Sequence, residues 1–154
     1  MAGFLFNIGA ERLAQRSTIW ETSDIRARLI QTADTHVLKD SDNITGMGIA
    51  ATTQPTSTTA ALSCTAPTKS DANDRVSYCT TVDTITFTAV NAGVGACDRM
   101  LFFHFVEGGD EDQDDAASFP IAVVDITAVV PNGGDIVVTI PTTNSVKGFF
   151  YLQQ

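Results

Sequence analysis

The chain has 154 residues, with 18 acidic against 9 basic side chains, a net charge of -9 and a pI near 4.3. Its length suits one domain with a core of its own, and no uninterrupted apolar run approaches the roughly 18 residues a membrane-spanning helix needs, so no membrane partner is expected. The carboxylate excess repels phosphate, which speaks against nucleic acid as a partner.

At the start, Met1-Ala2-Gly3-Phe4-Leu5-Phe6-Asn7-Ile8 has no basic leader and is interrupted by Glu11 and Arg12, so it reads as mature protein that stays in the cytoplasm until assembly. Helix formers with Phe4, Ile8 and Leu13 at near-helical spacing predict a short amphipathic helix over residues 3–16. The division expected is a single domain over 1–154, with 1–16 as an N-terminal helix or arm and 17–154 as a β domain. From Thr18 to Ile30, Ile25, Ala27 and Leu29 alternate with Arg26 and Arg28, as along a half-buried strand whose arginines face solvent or a partner.

Residues 45–69 are rich in Thr, Ser and Ala with Pro55 and Pro67, a composition for β-branched strands joined by turns. The polar run Lys69 to Arg75 predicts a surface loop before a strand at Val76 to Val82. Residues 84–90 alternate strictly, predicting a strand with Ile85, Phe87 and Ala89 toward the core. After the turn residues Asn91 to Gly95, Leu101-Phe102-Phe103-His104-Phe105-Val106 predicts a largely buried central strand. Pro131-Asn132-Gly133-Gly134 between the apolar runs 120–130 and 135–140 predicts a hairpin, and Gly148 to Leu152 a terminal strand tied into the sheet. The fold class expected is mainly β: an antiparallel β-sandwich or barrel-like domain with a short N-terminal α-helix.

Chemistry is sparse. Cys64, Cys79 and Cys97 are odd in number and lack a C-x-x-C pair, so neither a disulfide framework nor a zinc site is indicated, and reduced thiols are expected. Six carboxylates crowd the segment Glu107 to Asp115. Asp110, Asp112 and Asp114, at alternate positions, are the candidate oxygen ligands of a calcium ion. An EF-hand begun at Asp110 would need Gly and Glu where the chain has Asp115 and Ile121, so a solvated acidic loop, or one that meets a basic patch on a partner, competes with that reading. His36 and His104 have no marked nucleophile near them in sequence, and the glycines match no phosphate-binding fingerprint, so no catalytic residue, no cofactor and no enzyme activity are assigned. The interface candidates are Phe4, Leu5, Phe6, Trp20, Arg26 and Arg28, with a core role weighed against docking for Trp20 and for the Phe4-Leu5-Phe6 stretch.

Three features fall in order: the N-terminal helix, the segment Ile19-Trp20-Glu21-Thr22-Ser23-Asp24-Ile25-Arg26-Ala27-Arg28-Leu29, and Pro131-Asn132-Gly133-Gly134-Asp135-Ile136-Val137-Val138-Thr139. Together they resemble a group of small structural virion proteins of tailed bacteriophages, over both ends and about half of the chain. The pattern departs at Ile30-Gln31-Thr32 and through the Thr-rich residues 52–68. The resemblance implies a virion structural protein, and among such roles a head decoration or cement protein on the capsid surface. It would bind and stabilise the major capsid protein lattice and self-associate as a symmetric homo-oligomer, with a trimer favoured. Two alternatives are a tail, neck, baseplate or fibre component contacting the host, and a carbohydrate-binding β-sandwich module using Trp20 and Tyr151 as sugar platforms.

Overall fold

A computed structural model describes residues 3–14, 24–33, 43–44, 59–62, 64, 68–70, 75–77, 84–106, 117–139, 142–143, 146–147 and 151–153. In chain order these form β1 (Gly3–Leu5), α1 (Asn7–Ala14), β2 (Ile25–Gln31), β3 (Thr59–Leu62), β4 (Thr68–Ser70), β5 (Arg75–Ser77) and β6 (Thr84–Phe87). There follow β7 (Cys97–His104), β8 (Phe119–Val129), β9 (Ile136–Thr139), β10 (Thr142–Thr143), β11 (Val146–Lys147) and β12 (Tyr151–Gln153). The chain is therefore mainly β, its strands pair antiparallel, and one short helix stands near the N-terminus.

The largest sheet runs β1-β8-β7-β2-β3. As the run Leu101 to Val106 predicts, β7 lies at its centre, and it is buried from Met100 to Phe103. Alternation then sorts the side chains of three adjacent strands onto two faces. Met100 and Phe102 of β7, Ile25, Ala27 and Leu29 of β2, and Ala122 and Val124 of β8 share one cluster with Ile85 and Phe87 of β6 and Ile136 of β9. That face is covered by the two-stranded ribbon β6-β9, an arrangement compatible with a sandwich. Leu101, Phe103, Ile30 and Val123 point the other way, into a second cluster with Phe6 and Ile44, against which Ile8 packs.

Both faces of the sheet are thus covered, and this corrects the expectation for β2. Arg28 is buried at 7% exposure, its guanidinium carbon 5.2 Å from the Phe103 ring centre, and does not stand in solvent. The physical reason is the layer formed by Phe6, Ile8 and Ile44, which closes the face that alternation alone leaves open. A long cation can be accommodated there because its stem and planar head both pack on apolar surface.

The N-terminus also differs from the helix predicted over 3–16. Gly3, Phe4 and Leu5 pair with Val124, Val123 and Ala122, so the first residues add an edge strand to β8, and the helix begins only at Asn7. The Phe6 N–H donates to the Ile121 carbonyl at 2.9 Å, and the Phe6 carbonyl accepts from Ala10 N–H at 2.9 Å as the helix starts. Ladder hydrogen bonds along an unpaired sheet edge outweigh the helical spacing of the Phe, Ile and Leu positions. The register of β7 on β8 slips between Phe102 and Phe103, leaving Ile121 as an extra residue opposite no partner. Gly9 of α1 sits against that residue, where a Cβ would lie 2.6 Å from the Ile121 carbonyl oxygen.

The segment at residues 131–134 makes its turn but no hairpin. Gly133 takes a φ of 90°, and Gly134 N–H donates to Asn132 Oδ1 at 3.0 Å, as a tight turn requires. The strands on either side belong to different sheets, however: β8 pairs with β1 and β7, whereas β9 pairs with β6. Gly133 N–H donates to the Val90 carbonyl at 2.9 Å and Val90 N–H to the Gly134 carbonyl at 3.0 Å, so the turn is pinned across the end of β6. Turn residues set the local backbone; the choice of pairing partner is a tertiary decision.

A related correction falls on β6. Ile85 and Phe87 face the core as predicted, but Ala89 is exposed at φ 49° and Val90 takes the buried place. The Ala89 N–H is held at 2.8 Å by Asp135 Oδ1. An alanine in this left-handed region is strained, so Ala89→Gly is expected to raise stability by about 0.5–1 kcal/mol, read from the urea midpoint. An unchanged or lower midpoint would contradict the conformation.

The remaining described strands form small units. β5 lies between β4 and β12, so the C-terminal segment is tied into a sheet as expected, although this sheet is separate from the large one. β10 and β11 pair with each other. The predicted strand over 76–82 begins one residue earlier, and its part beyond Ser77 lies outside the described residues.

Candidate interaction site at one end of the central sheet

Where β2 begins, β7 ends and β8 begins, the register places Ile25 opposite His104 and His104 opposite Phe119. Charged and aromatic side chains collect at this end. Asp24 accepts two hydrogen bonds from Arg26 Nε, each at 3.2 Å, and one from a terminal guanidinium nitrogen at 2.8 Å. The same guanidinium lies 3.4 Å above the Phe105 ring, and Phe105 N–H donates to the Asp24 carbonyl at 2.8 Å. The three residues therefore brace one another through a ring contact, an ion pair and a main-chain bond.

A second stack stands beside the first. Arg12, in the last turn of α1, lies 3.5 Å above the Phe119 ring, a position that also sets its charge against the negative end of the helix dipole. His104 faces the same ring, with centroids 6.3 Å apart and planes tilted by 58°. The chain leaving β7 and the chain entering β8 are tied together here, because Val106 N–H donates to Ser118 Oγ at 3.1 Å. Ser118 is fully buried, and its carbonyl accepts from Ile44 N–H at 3.3 Å.

Burial holds the His104 pKa below its ordinary value of 6.5, the Arg12 charge lowers it further, and Asp24 opposes both. The folded value lies below the unfolded one, so in the interval between them the unfolded chain binds more protons. The stabilisation is complete above pH 6.5 and is lost as pH falls through the folded value. Comparing urea midpoints at about pH 7.5 and about pH 5.5 should show a loss that shrinks in His104→Gln. An identical loss in the variant would contradict the assignment.

Of the residues singled out in the sequence, the structure brings Arg26 into this cluster, half-buried, and lays Arg28 on the next ring inward. Phe4 stands opposite Val123 in the ladder, Leu5 packs on the main core and Phe6 is fully buried. The Leu5 and Phe6 side chains thus cover the chain's own sheet and do not reach outward. Trp20 and the carboxylates Asp110, Asp112 and Asp114 lie outside the described residues. Among the described residues, no three His, Cys, Asp or Glu side chains gather as a metal site would require.

Sequence reasoning missed Arg12 as a member of this site. Its only signal is a basic residue in the last helical turn, which ordinarily marks a helix end and nothing more. The thiols need a correction too. Cys97 is free and fully buried, its pKa pushed up to about 11 by burial and then by Asp98, which leaves it inert. Cys64, by contrast, is disulfide-bonded and not the reduced thiol expected. An odd count says only that one cysteine is left over; which ones approach in space depends on the fold.

A guanidinium laid on a ring keeps its N–H edge for carboxylate oxygens, and at Arg26 that edge is taken by Asp24. His104 stands against the Phe119 ring, with the charges of Arg12 and Asp24 acting on it. Comparison with protein-family models, with curated proteins and with solved structures finds no match.

Proposed function

We propose that the chain is a structural protein of a tailed-phage particle, and within it a head decoration protein that covers and stabilises the major capsid lattice. The observation that carries this reading is the ordered likeness at both ends of the sequence, whose described parts fall on β2 and on the 131–139 segment. A sheet buried on both faces is a rigid scaffold, and a rigid scaffold loses little entropy on docking. The acidic segment 107–115, which follows Val106 in the sequence, supplies charge for steering toward a basic partner surface.

The action proposed needs no chemistry. Each copy buries surface across neighbouring capsid subunits, and that binding free energy adds to the stability of the assembled shell. In this reading the protein resides in the host cytoplasm during assembly and on the virion surface afterwards, as a symmetric oligomer whose favoured count is three.

The test is addition of the purified chain to expanded shells that lack it. Saturable binding at a fixed ratio to the major capsid protein, with a raised melting temperature of the shell, is the expected result. Failure to bind shells, or binding only to tails, would overturn the head assignment.

A further inference from the structure

Among the described residues, β9 has a pairing partner on one side only, the strand β6, and Ile136 to Thr139 hydrogen-bond within that ladder alone. Every second residue of such a strand turns its N–H and C=O away from its partner, where an added strand can meet them. Open edges are ordinarily blunted by a charge or a proline, as β4 is by Lys69. β9, with the sequence Ile136-Val137-Val138-Thr139, has neither, and its ladder with β6 runs without a register shift. Val137 is 57% exposed on the outward face, and Val138, on the other, is only half-buried against the main core.

We infer that β9 takes up an extended segment of another protein as an added antiparallel strand, and that this segment is basic, with Lys or Arg side chains alternating with β-branched ones. Charge selects that occupant. The chain carries -9, so its field gathers cations and repels a second copy. The outward row of β9 continues from Asp135 through Val137 to Thr139, all exposed, beside Thr84 and Thr86 of β6, and neither strand carries Lys or Arg. Asp135 accepts the Ala89 N–H through Oδ1, and among the described residues no cation pairs with it.

The pleat then assigns a role to each row of the incoming strand. A basic side chain opposite Asp135 makes a cross-strand charge pair, and one opposite Val137 lays its stem on that valine while its head stays in water. The alternate, β-branched positions fall beside Ile136 and Val138 and cover the flank of the core that Val138 leaves open. The turn that precedes β9 is fixed to Val90 at 2.9 Å and 3.0 Å, so little order remains to be gained on pairing.

The inference does not rest on the virion reading: peptide binding tests the edge alone, and binding to shells tests the role alone. The probe is a synthetic peptide of about nine residues in which lysine and valine alternate, titrated into the full chain in about 0.15 M salt. One-to-one binding is expected, with amide exchange slowed at Ile136 to Thr139. A peptide of the same composition, its lysines and valines gathered into two blocks, should bind about fivefold more weakly or worse. Val137→Lys should weaken binding of the alternating peptide about fivefold or more, whereas Thr86→Lys, which changes the net charge equally but stands one strand in, should weaken it less than about twofold. Should Val137→Lys fail to fold, Asp135→Asn carries the test: it keeps an acceptor for the Ala89 N–H and should weaken binding about twofold or more. Equal binding of the two-block peptide, equal weakening by the two lysine variants, no effect of Asp135→Asn, or protection elsewhere in the chain would overturn the inference. So would a chain that sediments alone as a dimer and is dissociated by Val137→Lys, which would give the edge to a second copy.

Discussion

Replacing Phe102 with alanine is expected to lower the free energy of unfolding by about 3–5 kcal/mol, a large part of what a domain of this size typically has. Phe102 is fully buried on the central strand, and the register sets Ala27 of β2 on one side of it and Ala122 of β8 on the other. The ring fills the room that two alanines leave. Removing it opens a cavity flanked by side chains too short to collapse into it, which is the costly case among large-to-small substitutions. Urea unfolding of the variant gives the value directly. A loss under about 1.5 kcal/mol would mean that the site repacks and that Phe102 is not at the centre of the core.

Gly9→Ala is expected to destabilise as well, by about 1–3 kcal/mol, against the sign that helix propensity gives. In an ordinary helix interior the same change stabilises by roughly 1 kcal/mol. Here the new methyl group would sit 2.6 Å from the carbonyl oxygen and 2.8 Å from the Cα of Ile121, both backbone atoms of a residue held in β8. Neither atom can rotate away, so the helix must lift from the sheet, taking with it the contact of Ile8 with the second core cluster and that of Arg12 with Phe119. Ala10→Gly, one residue on and exposed, should cost only about 1 kcal/mol and provides the control. Denaturation midpoints of the two variants check the pair: stabilisation by Gly9→Ala would contradict the close seating of α1 on β8.

How much of this was readable beforehand depends on the range of the signal. Alternation and β-branched composition mark the strands, and the run Leu101 to Val106 identifies the strand at the centre of the sheet. The same local patterns go wrong where a distant segment decides. Phe4, Ile8 and Leu13 have helical spacing, but the open edge of β8 takes Gly3 to Leu5 as a strand. The residues at 131–134 announce a turn, but Val90 decides that the strand beyond it joins β6. Arg28 alternates as a solvent residue would, and is buried because Phe6, Ile8 and Ile44 close over its face. Of the candidate site, Arg26 was legible as a charged residue on a strand. Its partnership with Asp24 and Phe105, and the stack of Arg12 on Phe119 beside His104, require three strands and a helix to meet at one end. No spacing within a single segment encodes that meeting.

The central functional claim is that this chain works by covering other protein surfaces, as part of the shell of a virus particle. Cryo-microscopy of intact, purified particles tests it most directly. The account predicts density that fits the sheet with α1 on one face and the β6-β9 ribbon on the other, repeated across the capsid lattice in hundreds of copies per particle. A lattice free of such density, with the chain confined to a few tail positions or missing from the particle, would contradict it.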